Sequence, residues 1–290
     1  MKETILVTAA NGTVGSETIK ILAGTEFRVR AGVHSLIKGD RFRGLPHVEM
    51  VHLDFHDPEL LRVALTGVTH VFLITPFTQD QVEMAKKLVD VAKEIGVHHI
   101  VRLSASGADA EPGIQLGRDH REVEMYLESS GVPYTILRPA GFMQNFLMDA
   151  DSICNNNSLY MPLGNAKVNY VDARDVAAVA ATILTQPGHE SKVYEITGPE
   201  AISVNDVAHA ITVATNRLIA YVDVPEEAAT ATMLQHHVPG WMVNAIVELN
   251  GVYKAGYAQN ITDTIEKLTG RQPRSIVDFA QDYSQHFQPN

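Results

Sequence analysis

The chain has 290 residues, 45% of them hydrophobic and 20% charged, with a formal net charge of −11. That length and mixture suit an ordinary globular protein with a sizeable core, and the acidic balance disfavours a nucleic-acid partner, whose binding rests on Lys and Arg neutralising phosphates. No apolar run approaches the ~20 residues of a membrane span, the lone Cys154 cannot form an intramolecular disulfide, and the first strand leaves no room for a signal peptide, so a cytoplasmic protein is expected.

Ile5-Leu6-Val7 reads as a short buried strand. Thr8-Ala9-Ala10-Asn11-Gly12-Thr13-Val14-Gly15 follows, and Val14, Thr18, Ile19 and Leu22 then recur at helical spacing. Such a strand, glycine turn and helix aim backbone N–H groups and the positive end of a helix at a pyrophosphate. Thr8, Asn11, Gly12, Thr13, Val14 and Gly15 are the candidate contacts, with Gly12 letting the backbone approach the phosphates and Gly15 letting helix and strand pack closely. Ala9 stands where the Gly-x-x-Gly-x-x-Gly pattern begins; an alanine that keeps φ negative would alter the turn slightly.

A second strand, Phe27 to Val33, ends at His34. No acidic residue is there to hold ribose hydroxyls as in NAD-selective folds. His34, Lys38, Arg41 and Arg43 instead form a local cationic cluster, which favours the 2′-phosphate of NADP over NAD; a solvated loop is the alternative. A third strand, Val48 to Leu53, leads into Asp54 and Phe55, placed to meet an adenine at the carboxyl end of a parallel strand. His52, Asp54 and His56 alternate like metal ligands on one strand face, but no further ligand set has site-like spacing, and no metal is expected.

Val68 to Ile74 reads as a central parallel strand that stops at Thr75-Pro76-Phe77, a second cofactor edge. A helix from Gln79 to Ile95, a strand from Ile100 to Leu103 ending at Ser104, a helix from Leu116 to Ser130 and a strand from Pro133 to Leu137 ending at Arg138-Pro139-Ala140 follow. Six strands alternating with helices predict an α/β fold, a Rossmann-like doubly wound parallel sheet covered on both faces. Its carboxyl edge would gather the glycine turn, His34, Asp54, Thr75, Pro76, Ser104 and Pro139.

Past residue ~150 the rhythm loosens. Short strands are expected at Leu159 to Met161, Lys167 to Val171, Val193 to Ile196 and Leu218 to Val222, and helices at Asp172 to Leu184, from Ser203, at Pro225 to His237 and at Gly240 to Gly251. The expected division is a dinucleotide-binding domain over 1–154 and a mainly substrate-binding lobe over 155–290, with some elements returning to the sheet.

The glycine turn, His120-Arg121-Glu122-Val123-Glu124, Ser130-Gly131-Val132-Pro133-Tyr134-Thr135-Ile136-Leu137-Arg138-Pro139, Phe142-x-x-Asn145 and Asp172-x-x-Asp175-Val176-Ala177 resemble the NmrA-like atypical short-chain dehydrogenases, and within them the NAD(P)H quinone oxidoreductase and triphenylmethane dye reductase branch. The resemblance implies NADPH in preference to NADH, and hydride transfer without flavin. It puts His34 where many relatives carry a phosphate-binding arginine, matches Lys38 to a second basic position, and sets Thr75 and Ser104 at strand ends lining the nicotinamide side. His120 sits where several reductases carry a lysine near the cofactor. Phe142 and Asn145 fall in the loop beside the nicotinamide.

Most short-chain dehydrogenases use Tyr-x-x-x-Lys to protonate a carbonyl. No tyrosine here has Lys four residues on; Tyr134 and Tyr170 have Arg there. A quinone or a dye cation takes hydride with little help, so its site mainly has to hold it in near-attack geometry. His120 is the candidate proton donor or electrostatic partner, with a role confined to holding cofactor as the alternative. Asn145, Tyr170, Trp241 and Tyr253 are the candidate substrate contacts, the aromatic ones by stacking on a small planar, conjugated electrophile or by simple packing. Met143, Met148, Met161, Met233 and Met242 are candidates for an adaptable pocket or for core filling. A dinucleotide-sensing regulator without turnover stays open beside the enzyme, and a homodimer is one option for assembly.

Overall fold

The computed structural model describes residues 3–289, except for the side chain of Lys38. Seven parallel strands form the central sheet: β1 (Thr4–Val7), β2 (Arg28–Val33), β3 (Val48–His52), β4 (His70–Leu73), β5 (His99–Leu103), β6 (Tyr134–Pro139) and β8 (Lys192–Ile196). Their spatial order is β3-β2-β1-β4-β5-β6-β8. The order reverses direction between β1 and β4, which opens a crevice at the carboxyl ends of these two strands.

Near-continuous apolar runs make such strands buried on both faces. Helices α1 (Thr13–Leu22) and α6 (Ala173–Thr185) cover one face, in a core that includes Ile5, Val7, Ile19, Leu22, Phe72, Val176 and Ile183. The other face carries α2 (Pro58–Leu65), α3 (Gln81–Ile95) and α4 (Gln115–Ser130), packed through Leu61, Leu88, Val89, Val123 and Leu127. Asp57 caps α2 by accepting from the N–H groups of Glu59 and Leu60, with Pro58 in the first turn. Gly96 and Gly131 close α3 and α4 in the left-handed conformation.

After β6 a 3₁₀ turn (Met143–Asp149) and α5 (Ala150–Asn156) lead away from the sheet. Strands β7 (Ser158–Met161) and β9 (Ala220–Asp223) pair in parallel as a separate ribbon. It packs with α7 (Val204–Thr215) and α11 (Ile276–Asp282) around Phe146, Ile211, Phe279 and Phe287. Between them α6 and β8 return to the main sheet, and α10 (Thr264–Thr269) adds Ile265 to the α1–α6 core. Helices α8 (Glu226–Gln235) and α9 (Gly240–Lys254) bury almost nothing of their own; only Val243 is buried. No strand forms over the expected Lys167 to Val171. That segment makes only single bridges, Phe142 with Val171 and Val168 with Ile202, and both partners lie outside the named strands. No described helix is long and apolar enough to cross a membrane.

Candidate functional site

The glycine turn joins β1 to α1. Gly12 N–H donates to the Ala9 carbonyl at 2.8 Å, and Gly12 caps the helix with extended backbone. Ala9 does not keep a negative φ as expected; it adopts φ +44, the conformation glycine favours. The tight turn is therefore kept, with strain at Ala9 instead of a change of shape. A Cβ on Gly15 would stand 2.7 Å from the Ala9 carbonyl oxygen, and one on Gly12 3.1 Å. The helix geometry leaves the first-turn N–H groups of Thr13, Val14 and Gly15 without partners inside the helix, and that turn carries no acidic residue. Asn11 Oδ1 is buried and unpartnered. An unpartnered acceptor beside N–H donors that have no partner inside the helix fits a ligand that has both phosphate oxygens and ribose hydroxyls. Two sequence expectations need correcting. Thr8 is fully buried, and its hydroxyl donates to Ile74 O at 2.7 Å and accepts from Ile74 N–H at 2.8 Å, so it stitches β1 to β4 and does not face the crevice. Val14 turns its side chain into the core and can offer only its N–H.

At the far end of the crevice, His34 is exposed and lies 3.9 Å from Asp54, which also accepts from the His56 N–H. His56 turns instead to Asp80, at 3.3 Å, so His52, Asp54 and His56 do not converge. Arg41 reaches back across the crevice to the Ala10 carbonyl at 3.4 Å, while Arg43 pairs with Asp40. The Lys38 side chain lies outside the described residues. Phe55 is a further correction: it is 6% exposed and packs with Leu53 and Leu61 in the core, so its ring is not available to an adenine.

The ends of β4, β5 and β6 and the start of α4 build the other half. Thr75 and the exposed Pro76 follow β4. Arg102, in the middle of β5, is 1% exposed, and its two terminal nitrogens each donate to Thr75 Oγ1 at 3.2 Å. Burial lowers the Arg102 guanidinium to about 10, against the pull of Glu124. Ser104, 4% exposed, donates its hydroxyl to Glu124 at 2.6 Å, so toward the crevice it can only accept. Glu124 is fully buried; burial would raise its pKa, but hydrogen bonds from Arg138, Ser104 and Arg121 outweigh that and keep it low. His120, one turn before it, is lowered to about 3, by burial first and then by the charge of Arg102, and its Nδ1 is buried without a partner. Its imidazole is therefore neutral near pH 7. In that state it carries no imidazolium proton, but one ring nitrogen still donates and the other accepts, so toward the crevice it acts as a neutral hydrogen-bonding partner.

Past β6, Pro139 is buried and Phe142 half-buried, and Asn145 is exposed on the following 3₁₀ turn. Tyr170 is 6% exposed, edge-on to Phe146 at 5.0 Å and to Tyr253 at 6.1 Å. It packs in the distal core and is not an open stacking face. Tyr253 touches Gly141, where a Cβ would come within 2.7 Å of its hydroxyl oxygen. The same tyrosine lines a cavity of about 540 Å³ with Gly164, Lys167, Asp223, Glu226 and Lys254. Trp241 meets Phe77 edge-on at 5.2 Å and lines a second cavity of about 380 Å³ with Gln115, Asp119 and Glu248. Helix α9 runs over both cavities, and Glu248 pins it to α4 by accepting from the Gln115 N–H at 2.8 Å. Met143 is core and Met148 is 80% exposed, so neither lines these cavities.

The profile of the NmrA-like family matches residues 1–283 of this chain. The chain belongs to that family. It is 38% identical over 283 residues to the NAD(P)H azoreductase of Xenophilus azovorans, covering 98% of this chain and 99% of that protein. It is also 32% identical over 292 residues to the (4-alkanoyl-5-oxo-2,5-dihydrofuran-3-yl)methyl phosphate reductase of Streptomyces griseus, covering 98% and 99%. Its fold is that of the NADPH-dependent quinone oxidoreductase of Escherichia coli solved with NADPH, with a TM-score of 0.86 at 24% identity, over 96% of this chain and 99% of that one.

Within this NmrA-like chain, the residue that sequence reasoning passed over is Arg102. It sits inside the run Ile100-Val101-Arg102-Leu103. A cation in a central parallel strand is buried on both faces, and fully buried arginines are rare. That misfit was the available signal. Glu124 and Arg138 stood in the recognised motifs, but their pairing across α4 and β6 is a tertiary fact.

Proposed function

We propose that this chain is an NAD(P)H-dependent reductase that passes hydride from NADPH to a quinone, a dye, or a conjugated carbonyl or imine without a Tyr-x-x-x-Lys dyad. The class rests on family membership and on full-length relatives that are reductases. The finer reading is supported by the pairing of an anion-ready glycine turn with His120, whose Nδ1 is buried without a partner and whose imidazolium is disfavoured by that burial. A site without a ready acid suits an acceptor that delocalises the incoming charge or already bears a positive one.

Bound NADPH would supply the hydride. The first-turn N–H groups of α1 hold its pyrophosphate. Arg41, with Lys38 as a second cation, favours the 2′-phosphate. Thr75, Ser104, Pro139 and Phe142 bound the nicotinamide end, and Pro76 lies at its rim. Asn145, Trp241 and Tyr253 line the approach of a planar acceptor, and α9 roofs it. Neutral His120 orients by hydrogen bonding, and the proton that completes reduction comes from solvent. Holding the acceptor against the hydride donor is the main contribution of the protein.

Steady-state oxidation of NADPH and of NADH, each with a panel of quinones, azo compounds and cationic dyes, tests this. Saturable turnover that favours NADPH supports it. Tight dinucleotide binding with no turnover on any acceptor would leave the sensor reading in its place.

A further inference from the structure

Arg102 is a charge held where charge is expensive. Its guanidinium is 1% exposed, yet it touches no carboxylate: its terminal nitrogens reach only the Leu73 carbonyl, at 3.4 Å, and Thr75 Oγ1, at 3.2 Å from each. Its Nε is buried without a partner among the described residues. Removing a cation from water without a directly bonded counter-ion is strongly unfavourable. An apolar residue would fill this strand position at lower cost, so the charge has a use.

The geometry at Thr75 identifies that use. A threonine hydroxyl has two acceptor lone pairs and one O–H donor. Both arms of the Arg102 fork donate to this oxygen from the same side. The hydroxyl hydrogen must therefore point elsewhere, and none of the described residues accepts it. Arg102 covers the inner side of Thr75, while Thr75 itself is part-exposed at the carboxyl edge. The carboxyl edge, where Thr75 is part-exposed, is the direction left open to the free O–H. Ser104, the matching position past the end of the paired strand β5, has the opposite polarity, because its O–H is committed to Glu124.

We propose that Arg102 is a positioning residue, whose fork on Thr75 Oγ1 fixes that hydroxyl as an outward hydrogen-bond donor to an sp² oxygen or nitrogen of the bound reactants. This rests on the reading of the crevice as the nicotinamide end of a reductase site. The accepting atom belongs either to the nicotinamide carboxamide or to the electron acceptor, where negative charge grows as hydride arrives. In both cases the fixed guanidinium strengthens the donor, since a polarised hydrogen bond in a site of low dielectric is stronger than an isolated one.

The test compares wild type with Thr75→Val, Thr75→Ser and Arg102→Lys, each first checked for folding by its thermal transition. NADPH and its thionicotinamide analogue, whose sulfur is a weak acceptor, are titrated, and kcat and KM are measured with one quinone. A single lost hydrogen bond predicts a drop of about tenfold for Thr75→Val, with most of the activity kept in Thr75→Ser. Arg102→Lys, which keeps the charge and loses the fork, falls between them. If the carboxamide is the partner, wild type binds NADPH more tightly than the analogue and Thr75→Val does not discriminate. If the acceptor is the partner, dinucleotide binding is unchanged and the loss is in kcat. Folded Thr75→Val with wild-type affinities, kcat and analogue discrimination would overturn this proposal while leaving the reductase reading intact. Failure of wild type to bind NADPH would overturn both.

Discussion

Arg138 grips both oxygens of Glu124, with Nε 3.0 Å from Oε1 and Nη2 2.7 Å from Oε2. This pair ties β6 to α4 beneath the crevice, and the same carboxylate takes the Ser104 hydroxyl from β5. Three segments at this end of the crevice thus depend on one buried charge. Glu124→Gln removes the buried charge and leaves Arg138 one amide oxygen there, with Asp109 and Glu195 as its remaining carboxylates. Breaking a buried pair on one side costs about 3 kcal/mol or more, which corresponds to a fall in Tm of roughly 5–10 °C for a chain of this size. Calorimetry of the variant checks it, and an unchanged Tm would mean that the pair does not hold the edge together.

The turn yields opposite expectations for two neighbours. Gly15→Ala forces a Cβ against the Ala9 carbonyl, 2.7 Å away, and must displace the turn. It should weaken NADPH binding about tenfold or more, the scale of one or two lost hydrogen bonds. Ala9→Gly relieves the positive φ of 44° and should stabilise the protein by about 1 kcal/mol. Titration of the first variant and urea unfolding of the second are the measurements.

Trp241→Ala removes the contact with Phe77 and enlarges the cavity beside Asp119. Because Trp241 lies on α9 and away from the glycine turn, NADPH affinity should hold while KM for a planar acceptor rises several-fold, the effect of losing about 1 kcal/mol of aromatic contact. Equal KM values would move the acceptor to the cavity beside Tyr253.

Acid should destabilise the fold through histidines buried neutral. His99 bonds Thr135 through Nε2 at 2.9 Å and is lowered from 6.5 to about 4, chiefly by burial and then by His70. Below pH 6.5 the unfolded chain takes up a proton that the folded chain refuses. Stability therefore falls as pH drops, by about 1.4 kcal/mol per pH unit for each such group, until the folded value is reached. His120, lowered to about 3, acts in the same direction. Asp149, raised by burial to about 6, opposes them, because its folded form holds a proton that the unfolded form has lost. The difference between wild type and His99→Gln isolates one histidine. Urea unfolding between about pH 7 and pH 4 should give a shallower fall for the variant, and parallel curves would contradict this.

Much of the sheet could be read from the chain because parallel strands are short apolar runs punctuated by turn residues. The run from Val68 and the glycines at 96 and 131 marked elements within a few residues of where they form. The distal lobe was harder. Lys167 to Val171 alternates like a strand but makes only two isolated bridges, and α5, α10 and α11 are too short to show a period. Among site residues, spacing could place Thr8 and Phe55 at a strand end, but not tell that Thr8 bonds Ile74 or that Phe55 turns inward. The lowered pKa of His120 comes from its burial in the fold and then from Arg102, eighteen positions earlier and on a different element. No local pattern carries that.

The most direct test of the account is transfer from NADPH deuterated at C4 to a cationic dye, followed with the purified wild-type protein. Direct hydride transfer predicts a primary isotope effect on dye reduction and deuterium recovered on the carbon of the reduced dye. Saturable NADPH binding with no oxidation of the nicotinamide, by this dye or by any quinone, would contradict it.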